Sequence, residues 1–280
     1  MSIVDNTKNI IQKHGFTVSK RFGQNFLKDR TVLEDIVKAS GIEKKDIAIE
    51  IGPGIGTLTE YLANNAKQVY AIEVDRKLIP VLEDTLSGYE NVDVINADIM
   101  KVDLNEISRD RPFRIIANLP YYITTPIIMN ILEADTKCRS ITVMVQKEVG
   151  DRMTAGPGVK DYGALTLAVA YRAKAEVVRK VPAGCFYPAP NVDSVVVHMD
   201  IYDEKPIKAK DEELLFSLIR GAFNQRRKTL VNALSGYAGL SRSKEEIIDA
   251  VKTIGEKPTV RGEELSLLQF VHLADIFVNI

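Results

Sequence analysis

Five short apolar runs, separated by helical and turn-like segments, restrict what this chain can fold into more than any other feature. Residues 46–51 (DIAIEI), 69–74, 92–96, 113–117 and 141–145 read as buried strands. Segments 58–63, 77–86 and 126–132 read as helices between them, and residues 31–40 form a further helix that ends at Gly41. Strands alternating with helices predict an α/β chain with a mostly parallel sheet covered on both faces. The pattern changes after about residue 160. Segments 165–171 and 175–181 read as strands. A Pro-rich turn, Phe186-Tyr187-Pro188-Ala189-Pro190, leads to another strand over 194–199, as expected of an antiparallel edge or hairpin closing the sheet. From Asp211 onward the chain reads as helical, with breaks near 235–243 and 253–258. The linker Asp203-Glu204-Lys205-Pro206 divides a domain of residues 1–202, with an N-terminal extension, from a smaller helical domain of 203–280.

The glycine-rich stretch Glu50-Ile51-Gly52-Pro53-Gly54-Ile55-Gly56 joins the first strand to a helix. Glycine tolerates the φ angles of a tight turn and lets a ligand approach the backbone, and the helix start offers N–H groups. This is a nucleotide-site design. Glu73 ends the next strand, about 20 residues on, where a carboxylate can accept both ribose hydroxyls. Asp98 follows the third strand, where it can accept from an adenine amine. Taken singly, each acid is more simply a cap or a solvated carboxylate. Three successive strand ends with suitable groups point to a nucleoside cofactor. The Gly-x-Gly-x-Gly spacing departs from the dinucleotide pattern, and Glu50 before the loop fits S-adenosylmethionine. An NAD oxidoreductase shares the first two features but leaves the next motif without a role.

That motif is Asn118-Leu119-Pro120-Tyr121, just past the fourth strand. An amide oxygen and a backbone carbonyl can accept the two N–H groups of a planar amine while a ring stacks on it. Pro120 adds no competing N–H. Basic residues gather at Lys20-Arg21 and at Arg220, Arg226, Arg227 and Lys228. The last four are read as one helix with a basic face toward phosphates.

Composition sets outer limits. The chain has 280 residues, 45% hydrophobic and 27% charged, with a net charge of −1 and a pI near 6.4. That is an ordinary globular balance, not that of a protein basic all over. No run is long enough to span a membrane, and the N-terminus lacks a signal-peptide core. Cys138 and Cys185 give neither metal spacing nor a disulfide framework, so a reducing cytoplasm is the expectation and no metal is expected. A monomer is the default.

Residues 20–27 (KRFGQNFL) strongly resemble the N-terminal signature of the ribosomal RNA adenine dimethyltransferases. Residues 50–56, 118–121, 186–194 and 223–230 resemble its other signatures, in order. The resemblance spans about residues 15–275 and is nearest the bacterial small-subunit branch. It implies a Rossmann-like, S-adenosylmethionine-dependent methyltransferase sheet with a helical, RNA-binding C-terminal domain. The implied reaction is dimethylation of two adjacent adenosines in a 3′-terminal hairpin of 16S rRNA within the small ribosomal subunit. Cofactor contacts are implied at Asn25, Leu27, Gly52, Gly54, Glu73, Asp98 and Asn118. At the target base, Asn118 and Leu119 are expected to accept from the amine, with Tyr121 and Phe186 stacking and Tyr122 and Tyr187 ranked lower. Lys20, Arg21, Arg220, Arg226, Arg227 and Lys228 are expected on RNA. Two other readings share these motifs: a large-subunit adenine methyltransferase of the antibiotic-resistance type, and a non-catalytic ribosome-assembly factor on the same fold.

Overall fold

Burial on both faces is what turns the apolar runs into a parallel sheet. In the computed structural model, which describes Ile3, residues 6–15 and residues 25–279, helix α1 (Thr7–His14) and the short strand β1 (Phe26–Leu27) come first. Then follow α2 (Arg30–Ser40), β2 (Ile47–Ile51), α3 (Thr57–Ala63), β3 (Gln68–Glu73), α4 (Ile79–Thr85) and β4 (Val92–Asn96). Next are α5 (Leu104–Ser108), β5 (Phe113–Asn118), α6 (Thr124–Glu133), β6 (Cys138–Gln146) and α7 (Lys147–Met153). Strands β2, β3, β4, β5 and β6 are parallel. Every side chain of β2 is buried, Glu50 included.

The chain continues through α8 (Ala164–Arg172), β7 (Ala173–Val181), β8 (Phe186–Tyr187) and β9 (Ser194–Ile201). The large sheet runs β4-β3-β2-β5-β6-β9-β7, with β9 antiparallel to β6, so the closing edge has the expected antiparallel pairing. A separate two-stranded pairing joins β1 to β8, with Phe26 opposite Tyr187 and Leu27 opposite Phe186. Four helices follow: α9 (Glu212–Asn224), α10 (Leu230–Ser235), α11 (Lys244–Thr253) and α12 (Leu267–Val278).

Two compact units result. One is Met1–Gly150 with Lys174–Ile201; the other is Asp151–Ala173 with Tyr202–Ile280. The first holds the sheet. One apolar cluster packs Val32, Leu33 and Ile36 of α2 and Leu58 and Leu62 of α3 on β-strand residues such as Ile116, Met144 and Val196. Helix α2 starts where Asp29 accepts from the Thr31 and Val32 amides, and stops at left-handed Gly41. The second unit is helical. Its helices carry side-chain caps at Asp211, Thr229, Ser243 and Ser266. Its core includes the edge-on ring pair Tyr171–Phe216, with centroids 5.7 Å apart.

Two expectations are corrected. Residues 165–171 form helix α8, not a strand. Six of its nine residues are buried, so the apolar pattern has no polar phase to separate a period of two from 3.6. The segment therefore groups with the helical unit and not with the sheet. Residues 226–228 are a turn and not helix. Helix α9 ends at Gln225, whose backbone leaves the helical region, and Thr229 caps a new helix by accepting from the Asn232 amide.

Candidate active site

Strand order sets the position of the site. The chain winds from β2 outward to β3 and β4, then returns to place β5 on the other side of β2. In such sheets a crevice opens at the carboxyl ends of the two strands where the winding reverses. The glycine loop follows β2 and the Asn118 motif follows β5, so both flank this crevice. A pocket of about 190 Å³ lies there, lined by both motifs, by Glu73, Ala97 and Asp98, and by Asn25, Phe26 and Leu27.

The loop needs its glycines. Gly52, Gly54 and Gly56 have φ of 69°, 63° and 91°, a region costly for other residues. At Gly54 a Cβ would also stand 3.1 Å from the Phe26 ring. The loop and β1 thus meet at this pocket wall.

Acidic groups lie along the wall. Glu73 is buried, and one carboxylate oxygen accepts from the Asp75 amide at 2.8 Å. Burial raises its pKa to about 7 despite the lowering effect of the Asp75 and Gly54 amides. Glu50 is only 1% exposed, and its Oε2 has no hydrogen-bond partner. Burial pushes its pKa up to about 8. Thr59 eases the charge and Glu73 aggravates it. The Thr59 hydroxyl lies against it without completing a hydrogen bond. Asp98 stands two residues beyond β4. It caps a short 3-10 turn by accepting from the Met100 amide at 3.1 Å with one oxygen. Asp98 therefore caps this turn and also lines the pocket.

The Asn118 amide is fixed. Its Nδ2 donates to the Asn25 carbonyl at 3.1 Å. A carbonyl only accepts, so nitrogen must face Asn25 and Oδ1 is left as the acceptor. The turn behind it is tied down: the Leu119 amide donates to Met144 O at 3.1 Å, and Thr124 Oγ1 donates to Pro120 O at 2.8 Å. Tyr121 and Tyr122 both line the pocket, Tyr122 being 55% exposed. Burial raises the Tyr121 pKa, which keeps its phenol neutral.

The structure thus brings together Asn25, Leu27, Gly52, Gly54, Glu73, Asp98, Asn118, Leu119 and Tyr121. It does not bring Phe186 there. That ring is 1% exposed and packs in the core with Leu27. In the β1–β8 pairing Leu27 lies opposite Phe186 and shares its face, while Phe26 and Leu27 both line the pocket. A sealed ring cannot stack on a base, so the expected stacking by Phe186 is corrected to support behind Leu27. Phe26, for which the sequence offers only a packing role beside Leu27, packs with Ile55, Leu78 and Leu82 and also lines the pocket; a two-residue strand has too few positions to show alternation.

The basic residues behave differently from one another. Arg226 Nη2 donates to the Lys160 and Tyr162 carbonyls, at 2.8 and 3.0 Å, and meets Glu263 at 3.2 Å. Arg220, Arg227 and Lys228 are exposed, but with 226–228 in a turn they do not share one helix face. Lys20 and Arg21 lie outside the described residues.

The family model for ribosomal RNA adenine dimethylase matches residues 15–272. The chain belongs to this family. It is 53% identical to ribosomal RNA small subunit methyltransferase A of Lachnoclostridium phytofermentans over 96% of this chain and 95% of that protein. A protein of the same name from Clostridium acetobutylicum is 48% identical, covering 96% and 97%. Among solved structures, a dimethyladenosine transferase from Plasmodium falciparum matches with TM-score 0.73 and 27% identity, covering 89% of this chain and 95% of that one. The 23S rRNA methyltransferase ErmE matches with TM-score 0.66 and 26% identity, covering 90% and 99%.

The protein is an rRNA adenine dimethyltransferase, and S-adenosylmethionine is its cofactor. The residues present fit that cofactor. An orphaned buried carboxylate oxygen on Glu50 matches a cationic ligand, and the glycine loop is open to close backbone approach. Among the described residues no group of acidic, His and Cys side chains is placed to hold a metal, and no helix is long and apolar enough to cross a membrane.

Proposed function

We propose that this protein dimethylates the N6 amines of two adjacent adenosines in the 3′-terminal hairpin of 16S rRNA, acting in the cytoplasm, as a monomer, on the small ribosomal subunit. One observation carries the reading: the Asn118 amide is locked with its oxygen as acceptor, at the mouth of a pocket that also holds Glu73 and Asp98. The small-subunit assignment rests on relatives at 45–53% identity that bear that name. The 23S enzyme is 26% identical, so the large-subunit reading has less support.

Glu73 accepts the ribose hydroxyls, Asp98 accepts the adenine amine, and Glu50 faces the cationic end. The bound cofactor supplies an electrophilic methyl group on a sulfonium. The target amine is a poor nucleophile because its lone pair is delocalised into the ring. Asn118 Oδ1 and the Leu119 carbonyl accept its two N–H groups, localise the lone pair and aim it in line. Such positioning contributes several orders of magnitude in rate. Positive charge grows on that nitrogen during transfer, and the same two oxygens stabilise it. No strong base is needed, because the proton becomes acidic only after transfer. In the second methylation one N–H remains, so one of the two contacts yields its place to a methyl group.

The base must leave its stack, at a cost of a few kcal/mol. Stacking on Tyr121 offsets about 1–3 kcal/mol of that cost. Exposed Arg220, Arg227 and Lys228 contact phosphates without reading sequence. The test is methyl transfer from labelled S-adenosylmethionine to under-methylated small and large subunits, mapped by primer extension. Label on adjacent adenosines of the small-subunit hairpin is expected. Label confined to large-subunit RNA would transfer the assignment to the resistance-type reading.

A further inference from the structure

Ser194 opens β9, is fully buried, and sits opposite Gln146 of β6. Its hydroxyl lies 2.6 Å from the Tyr121 hydroxyl. The Tyr121 turn is in turn fastened to β6 through the Leu119 amide and Met144 carbonyl. The Ser194–Tyr121 bond therefore crosses from β9 over β6 to the turn after β5. It ties a half-buried aromatic on the pocket wall to the first residue of β9, two strands away from β5. The preceding residue is fixed too: Asp193 accepts from the Ala183 amide at 3.0 Å, and its carbonyl accepts from the Lys147 amide at 3.0 Å.

We infer that Ser194 is a positioning residue for methyl transfer, holding the Tyr121 ring at the angle at which the target adenine stacks. This rests on the stacking role proposed above for Tyr121. A phenol ring on a surface turn samples several rotamers, and only some present a face to the pocket. Swinging Tyr121 away would leave a hydroxyl on Ser194 buried and unpaired, which is unfavourable. The ring is thereby held in place before RNA arrives, so less ordering remains to be done on binding. Ser194 touches neither cofactor nor base. Its influence is on RNA turnover and not on the cofactor.

The experiment is a double-mutant cycle of Ser194→Ala and Tyr121→Phe, with Tyr121→Ala as reference. kcat and KM for under-methylated small subunits are measured, together with the S-adenosylmethionine Kd and the Tm. The expected outcome is a loss of about tenfold in kcat/KM for RNA in each single variant. The double variant is no worse than either one, because both remove the same bond. Cofactor Kd stays within twofold throughout. Tyr121→Ala loses more, since the ring goes too. If Tyr121→Phe matches wild type while Tyr121→Ala is impaired, the ring stacks but Ser194 does not position it, and the inference fails alone. If Tyr121→Ala is as active as wild type, the stacking reading itself fails. Losses that multiply in the double variant, or that track a fall in Tm, would mean Ser194 acts only on the fold.

Discussion

Two residues make the site sensitive to pH, and in opposite senses for stability and for binding. Glu50 and Glu73 titrate near 8 and 7 in the folded chain, both above the ordinary 4.5. Between about 4.5 and 8 the folded state therefore holds more protons than the unfolded one, and this part of the stability falls as pH rises through that window. The prediction is that the cofactor-free protein loses Tm between pH 6 and pH 9, and that Glu50→Gln, which cannot ionise, flattens the upper part of the curve. A Glu50→Gln profile parallel to wild type would contradict it. Cofactor binding has the other sign, because hydroxyl donors and a cation favour the ionised carboxylates. Calorimetry should show S-adenosylmethionine affinity weakening by up to tenfold per unit below about pH 8 and by up to a hundredfold per unit below about pH 7, where both carboxylates are protonated. An affinity independent of pH from 6 to 9 would remove both carboxylates from the contact set. Much at this scale is legible in sequence. Glu73, Asp98 and Asn118 stand where strand ends place them, while the orphaned oxygen of Glu50 becomes visible only once β2 is known to be buried on every side.

At the level of elements, short segments determine what the long ones leave open. The glycine loop is readable because its punctuation is local, but its tightness is not. The contact between Gly54 and Phe26 joins residues 28 apart in sequence. Gly54→Ala is expected to weaken cofactor binding at least tenfold, from a strained φ of 63° together with a Cβ 3.1 Å from that ring. Wild-type affinity in this variant would mean that the loop relaxes at little cost. Within the turn at 226–228 the three basic residues are of two kinds. Arg226 is bound to its own fold, so Arg226→Ala should lower the Tm by about 2–4 °C. Arg227→Ala and Lys228→Ala should leave the Tm unchanged while each reduces the salt slope of RNA binding by about one. If Arg226→Ala alone flattened the slope with no change in Tm, its three protein contacts would not be its role. The basic run looks helical in sequence because Arg and Lys are good helix formers. Nothing local announces that Thr229 caps a new helix.

For the molecule as a whole, the alternation of strands and helices carries most of the architecture, and the reversal between β2 and β5 locates the site. Sequence order alone cannot say which strands become neighbours, so the closing β6-β9-β7 edge is only partly legible. Helix α8 was hidden for a related reason: a segment buried on nearly all sides loses the period that would identify it. The same burial places Phe186 behind the pocket wall. Its signature marks an important position, but only the β1–β8 register shows which way the ring faces.

On the proposed mechanism, the effect of Asn118 on turnover exceeds its contribution to holding the cofactor. The most direct test is single-turnover methyl transfer to under-methylated small subunits by Asn118→Ala, with S-adenosylmethionine Kd measured by calorimetry on the same preparation. The expected result is a rate lower by on the order of 10²–10³ with Kd changed less than about fivefold. A rate near wild type, or a loss fully explained by weaker cofactor binding, would contradict it.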